Sequence, residues 1–261
     1  MAGTVLVSVS GHVARVTLNR PEVHNAFDDR LILELTGVFE RLAGDRAVRA
    51  VLLCANGRSF SAGADLNWMK RTAGYSEDQN LEDARRLAQL LRVLDGMPQP
   101  TVGLVQGAAY GGGVGLVACC DIAVAVPEAV FSLSEVRLGL LPAAISPYVV
   151  AAIGARQARR YFLTAERFDA GEALRIGLVH QIAAREELEA AGGRILAALA
   201  EGGPEAQAAS KNLIRRVASG PVDEAMVEDT ATRIATLRAG REGREGVAAF
   251  LEKRRPAWRG A

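Results

Sequence analysis

Gly57-Arg58-Ser59-Phe60-Ser61-Ala62-Gly63-Ala64-Asp65-Leu66 and Gly107-Ala108-Ala109-Tyr110-Gly111-Gly112-Gly113-Val114-Gly115-Leu116 are the two stretches around which the rest of this chain arranges itself. Each follows an apolar run, Ala50 to Cys54 in one case and Thr101 to Val105 in the other, and each leads into a segment of helical character. The first amides of a helix have no internal acceptor and lie at the positive end of its dipole, so glycine turns there aim N–H groups at an anion or carbonyl oxygen. Two such places can form an oxyanion hole. Neither stretch is a phosphate loop, because no Lys-Ser/Thr follows, and the Gly111 to Gly115 cluster does not complete a dinucleotide fingerprint. Ser59 and Ser61 also lack the G-x-S-x-G elbow of a serine hydrolase.

Outward from these stretches the pattern alternates. Val5, Val7 and Val9, then Val13 to Leu18 after Gly11-His12, predict a hairpin. A helix is predicted from Asp28 or Asp29, with Leu31, Leu35, Val38 and Leu42 on one face and the aspartates capping its start. Further predictions are a helix through Ala84, Leu87, Leu91 and Leu94, a helix from Gly112, and strands at Ile122 to Val126 and Val130 to Leu133. Strands alternating with helices imply an α/β core. After about residue 185 the chain becomes rich in Ala, Glu and Arg at helical spacing: Glu186 to Ala200, Pro204 to Val217, Val222 to Leu237 and Glu242 to Arg254. Gly192-Gly193 and Gly202-Gly203-Pro204 read as turns between these helices.

With 261 residues, 49% of them hydrophobic, the chain can bury a substantial core. Lys plus Arg number 31 against 30 Asp plus Glu, a formal charge of +1, and there is no aromatic-interleaved basic stripe, so neither nucleic acid nor an anionic membrane is indicated as a partner. Apolar runs are broken well before a membrane span, and Met1-Ala2-Gly3-Thr4 lacks the order of a signal peptide, so a cytoplasmic protein is expected. Cys54, Cys119 and Cys120 lie in apolar stretches and read as buried thiols. His12, His24 and His180 are too scattered to form a metal site.

Several motifs in order resemble the crotonase family, also called the enoyl-CoA hydratase/isomerase family, over nearly the whole chain. They are Asn19-Arg20-Pro21-Glu22-Val23-His24-Asn25-Ala26, both glycine stretches, Cys120-Asp121-Ile122-Ala123, Ser134-Glu135-Val136-Arg137-Leu138-Gly139-Leu140-Leu141-Pro142, Glu172 to Val179, and Phe250-Leu251-Glu252-Lys253-Arg254-Arg255-Pro256. The resemblance implies an α/β fold built as a spiral of β-β-α units with two nearly perpendicular sheets. Residues 1–190 would form the thioester-binding core and residues 191–261 a C-terminal helical region that covers the acyl pocket and assembles a homotrimer or homohexamer. It also implies an acyl-CoA thioester substrate, with coenzyme A part of the substrate and no separate cofactor or metal. Its carbonyl would sit between the amides of Ala64 and Gly112, where an enolate is stabilised.

The resemblance makes Glu135 the proton-transferring carboxylate; burial between Phe131-Ser132-Leu133 and Leu138 to Pro142 would raise its pKa toward neutrality. Pairing with Arg137 is the structural alternative. By family position Arg20, His24, Ala26, Ala62, Asp65 and Leu66 line the coenzyme A path, and Phe250 and Lys253 reach it from the C-terminal helix, within the subunit or across a subunit boundary. Asp65 reads better as an organiser of its loop than as a base, and Lys253-Arg254-Arg255 also suits a solvated helix end. Tyr148 either bonds substrate or packs at a helix start.

Two departures from the family pattern stand out. Two-carboxylate hydratases of the family carry a second Glu where this chain has Gly115, whereas family isomerases can run on one Glu. The run Leu133 to Tyr148, with Ala143-Ala144-Ile145-Ser146 in place of a glycine-rich stretch, resembles the bacterial methylglutaconyl- and carboxygeranoyl-CoA hydratase branch, whose substrates are branched. Hydration of a branched 2-enoyl thioester leads; double-bond isomerisation and a non-catalytic acyl-CoA-binding role are the alternatives.

Overall fold

The computed structural model describes residues 3–259; the reading of Met1-Ala2 and the last two residues of the helical region lie outside the described residues. The predicted hairpin forms as β1 (Val5–Ser10) and β2 (Val13–Leu18), antiparallel with Val7 opposite Val16. Helix α1 (Asp29–Gly44) begins where Asp28 accepts a hydrogen bond from the Leu31 N–H at 2.8 Å, and it buries Leu31, Ile32, Leu35, Val38, Phe39 and Leu42. Each such aliphatic side chain contributes about 1.5–3 kcal/mol on burial.

Three β-β-α turns follow. The first runs β3 (Ala50–Ala55), β4 (Ser59–Ser61), then α2 (Leu66–Thr72) and α3 (Glu77–Gly96). The second is β5 (Thr101–Val105), β6 (Ala108–Tyr110) and α4 (Gly112–Cys119), and the third is β7 (Ile122–Ala125), β8 (Val130–Ser132) and α5 (Ser146–Thr164). The first strand of every turn enters one sheet and the second strand enters the other. After β9 (Phe168–Asp169), α6 (Ala170–Arg175) and β10 (Gln181–Ile182), the larger sheet has the order β1-β2-β3-β5-β7-β10 and the smaller β4-β6-β8-β9. Pairing is parallel from β2 to β10 and from β4 to β8; β9 is antiparallel to β8. β3 and β5 are buried on both faces, which is why they read as unbroken apolar runs.

Four helices close the chain: α7 (Leu188–Glu201), α8 (Pro204–Ala218), α9 (Glu224–Ala239) and α10 (Arg241–Leu251). Gly192-Gly193 does not make the turn expected there but lies inside α7. The reason is packing: a Cβ on Gly192 would stand 3.0 Å from Leu104 Cδ2, so glycine lets α7 lie closely on β5. Gly202-Gly203-Pro204 does break the chain between α7 and α8, with Pro204 at the first helical position. Helix α7 crosses residue 190 and packs on β3, β5 and β7, whereas α10 packs on α8 and α9. Lys211 on α8 ties these helices to the core, donating to Asp121 Oδ2 at 2.6 Å and to the Gln99 carbonyl at 2.9 Å. All three cysteines are buried and unpaired, and burial pushes the Cys54 thiol up to about 12.

Candidate active site

The two glycine stretches meet. β4 and β6 pair in parallel, and at their C-terminal ends Gly63 and Gly111 pack so closely that a Cβ on Gly63 would stand 3.0 Å from the Tyr110 carbonyl oxygen. A Cβ on Gly111 would lie 4.0 Å from the Gly63 Cα. Both have positive φ, 84° and 49°, and Gly111 has ψ −115°, a conformation open essentially to glycine alone. These backbone angles turn the chain sharply into α2 and α4.

Phe27 holds the first turn in place. Its N–H donates to the Gly63 carbonyl at 2.6 Å and its carbonyl accepts from the Asp65 N–H at 2.8 Å, a one-residue parallel bridge at Ala64. Its ring also lies under Gly112, where an added Cβ would come within 3.1 Å of Cε2. The bridge uses the Gly63 carbonyl and the Asp65 N–H and leaves the N–H of Ala64, an exposed residue, unengaged. Among the described residues the N–H groups of Ala64 and of Gly112, the first residue of α4, donate to no protein acceptor. Such a pair of fixed donors can stabilise negative charge developing on an oxygen.

Glu135 stands beside them. It opens a 3-10 turn over Glu135–Leu138, and its Oε1 is 3.0 Å from the position a Cβ on Gly111 would take. Its other oxygen, Oε2, is buried with no hydrogen-bond partner. Neither Glu135 nor Arg137 forms an ion pair among the described residues, so the Arg137 alternative finds no support in the geometry. Burial raises the Glu135 pKa above the ordinary carboxylate value, against a smaller lowering contribution from its own backbone N–H. A half-buried carboxylate with one unpartnered oxygen, next to free amides, is suited to proton transfer.

The loop before these residues is held by groups that the motif order flagged without explaining. Asn25, fully buried at φ 53°, donates from Nδ2 to the carbonyls of Asn56 and Ser59 at 2.8 and 2.9 Å and accepts from the Arg20 N–H at 2.8 Å. Ser61 Oγ donates to the Asn25 carbonyl at 2.9 Å. Asp65 caps α2, accepting from the Asn67 and Trp68 amides; burial works to raise its pKa, but these amides and Arg20 outweigh that and hold it below the usual range. Asp65 thus organises its loop as expected.

Arg20, expected on the coenzyme A path, is engaged with its own loop. Its guanidinium donates to the Ala26 carbonyl at 2.7 Å, pairs with Asp28 at 3.0 Å and bonds Asp65 at 3.1 Å, because two sheltered aspartates need a cation. It clamps the loop that carries Ala26, which is buried. Arg58 is exposed beside this loop, its Nη2 3.1 Å from His24 Nε2, while His24 Nδ1 is 3.2 Å from Ser59 Oγ. His24 also accepts the Ala62 N–H on its carbonyl at 2.9 Å, and Leu66 projects at 73% exposure from the start of α2.

Two expected residues, Phe250 and Lys253, sit at the end of a helix that packs away from the Glu135 turn, and Tyr148 lies on α5, which packs against that turn. Tyr148 packs partly buried against the core, and that burial raises its phenol pKa. Phe250 and Lys253 lie at and just after the end of α10, which packs on α8 and α9; Phe250 is 82% exposed. A cavity of about 330 Å³ does occur among these helices, lined by Ile234, Leu237, Val247 and Trp258, but no expected site residue lines it. Among the described residues no group of three His, Cys, Asp or Glu could hold a metal ion, and no helix is long and apolar enough to cross a membrane.

The fold matches known proteins along almost the whole chain. The structure of an enoyl-CoA hydratase from Shewanella pealeana superposes with a TM-score of 0.96 at 47% identity, covering 98% of this chain and 96% of that one. Pseudomonas aeruginosa AtuE superposes with a TM-score of 0.94 at 40% identity, over 98% and 99% of the two chains. The 2,3-dehydroadipyl-CoA hydratase of Escherichia coli is 31% identical over 98% of both sequences. The enoyl-CoA hydratase/isomerase family profile matches residues 8–261, and the chain therefore belongs to that family.

Proposed function

We propose that the protein is an enoyl-CoA hydratase that adds water across the 2,3 double bond of a 2-enoyl thioester with Glu135 as its one proton-transferring side chain. The observation that carries this reading is the buried, unpartnered Glu135 Oε2 on a side chain that touches Gly111, directly before the free Gly112 amide. The thioester oxygen accepts hydrogen bonds from Ala64 and Gly112. Glu135 takes a proton from water, the hydroxide oxygen bonds C3, and the π electrons move onto the thioester oxygen as an enolate. Glu135 then returns its proton to C2, so atoms and charge balance and both additions occur on one face. Loss of one oxyanion donor costs about 3–4 kcal/mol of transition-state stabilisation.

The acyl chain is a branched, methylglutaconyl-like one, a reading supported by the Leu133 to Tyr148 run and by the exposed Leu138, Leu140 and Leu141 beside Glu135. A relative is named for a dehydroadipyl thioester. His24 and Arg58 suit the phosphates of coenzyme A, and Phe250 and Lys253 serve a neighbouring subunit of a homotrimer or homohexamer in the cytoplasm. Isomerisation is the second reading, favoured by the missing side chain at Gly115. Crotonyl, methylglutaconyl and other branched thioesters in heavy-oxygen water separate the cases by mass spectrometry. Label in the product means hydration, and a moved double bond without label means isomerisation. Binding without loss of conjugated-enoyl absorbance on any thioester would sink both in favour of a non-catalytic acyl-CoA-binding protein.

A further inference from the structure

Gly115 lies one helical turn beyond Gly111, with its N–H bonded to the Gly111 carbonyl at 3.1 Å. Helical side chains lean toward the N-terminus, so a side chain at 115 would extend over Gly111 and Gly112, toward Glu135. That volume is already filled. A Cβ on Gly115 would overlap Ile145 Cγ2, stand 3.0 Å from Ile145 Cβ and 3.4 Å from Leu91 Cδ2. Ile145 is 2% exposed and fixed at the N-cap of α5, where its carbonyl accepts from the Tyr148 and Val149 amides at 3.2 and 3.0 Å. A β-branched side chain in that position has little rotamer freedom with which to withdraw.

We infer that Ile145 is a specificity-determining residue: it plugs the space beside Glu135 that a second acid or a second ordered water would need, and so confines proton transfer to Glu135. The inference rests on the thioester chemistry proposed above. Gly115 and Ile145 form a matched pair in which the absent side chain of one is the seat of the other. The atoms nearest that seat, on Ile145 and Leu91, are apolar.

The test compares wild type with Ile145→Ala, Gly115→Glu and the double variant Gly115→Glu/Ile145→Gly, using the thioester that wild type turns over best. Ile145→Ala opens the seat to water and should shift the ratio of hydrated to isomerised product by about tenfold, the low end of what a methylene-scale change in an apolar pocket is worth. Gly115→Glu should lower Tm and activity together, and Ile145→Gly in the same chain should restore Tm. The pH profile of kcat/KM should show one ionising carboxylate in wild type and a second in the double variant. An unchanged product ratio in Ile145→Ala, or a Gly115→Glu variant with wild-type Tm and no added ionisation, overturns the inference while leaving the reaction intact. Wild type inert toward every thioester would remove the reaction and this inference with it.

Discussion

Replacing Glu135 by Gln separates the cost of this side chain to the fold from its use. Oε2 is buried without a partner, and burial raises the pKa, so the ionised carboxylate is the form the fold resists. A buried unsatisfied polar atom costs about 1–3 kcal/mol, more when charged. Glu135 is only half-buried and Gln also leaves polar atoms unmet, so about 1 kcal/mol is the gain expected at pH 7. In a chain of 261 residues that is a Tm rise of about 2–4 °C. The sign with pH follows from linkage. A raised folded pKa means that the stability associated with the protonated acid is full below the unfolded value of about 4.3 and is lost as pH rises through the folded value. Gln cannot ionise, so the two proteins should converge in Tm near pH 4 and separate above it, the variant being the more stable. Turnover should fall by about 10²–10⁴, the usual share of a general acid–base group. Thermal melts between pH 4 and 8, beside an enoyl-absorbance assay, measure both. A variant less stable than wild type at pH 7, or a Tm gap independent of pH, would refute the burial argument; retained turnover would remove Glu135 from the reaction.

Gly111→Ala forces φ 49°, ψ −115° on a residue with a Cβ 3.0 Å from Glu135 Oε1. It should cost about 1–3 kcal/mol of stability and up to about a hundredfold in turnover, checked by melts and kinetics. Asn25→Ala leaves the Arg20 amide without its acceptor and removes one donor from each of the Asn56 and Ser59 carbonyls, the latter keeping Gln106, and should destabilise by about 1–3 kcal/mol in urea unfolding. Asp65→Ala removes the α2 cap for about 1–2 kcal/mol at neutral pH. Because the folded Asp65 pKa is depressed, that contribution is complete above about pH 4 and is lost as pH falls through the folded value, so urea curves of variant and wild type should approach one another in acid.

The sequence by itself determined the elements whose signal is periodic or continuous. Leu31, Leu35 and Val38 mark a helix because one face must be buried, and Ala50 to Cys54 and Thr101 to Val105 mark strands because both faces are. The motif order added the family and drew attention to the glycine turns and to Glu135. Only the tertiary structure decided the rest. β4 and β6 are three residues long and exist through pairing, which no local pattern encodes. Glycine looks the same in sequence whether it breaks a helix, as Gly202-Gly203 does, or lets one approach a strand, as Gly192 does against Leu104. Arg20 was read for the coenzyme A path by motif position, and only the fold shows that Asp28 and Asp65 close on it. The filling of the space at Gly115 by a side chain thirty residues away is likewise a fact of packing, since volume is shared between segments that the chain keeps apart.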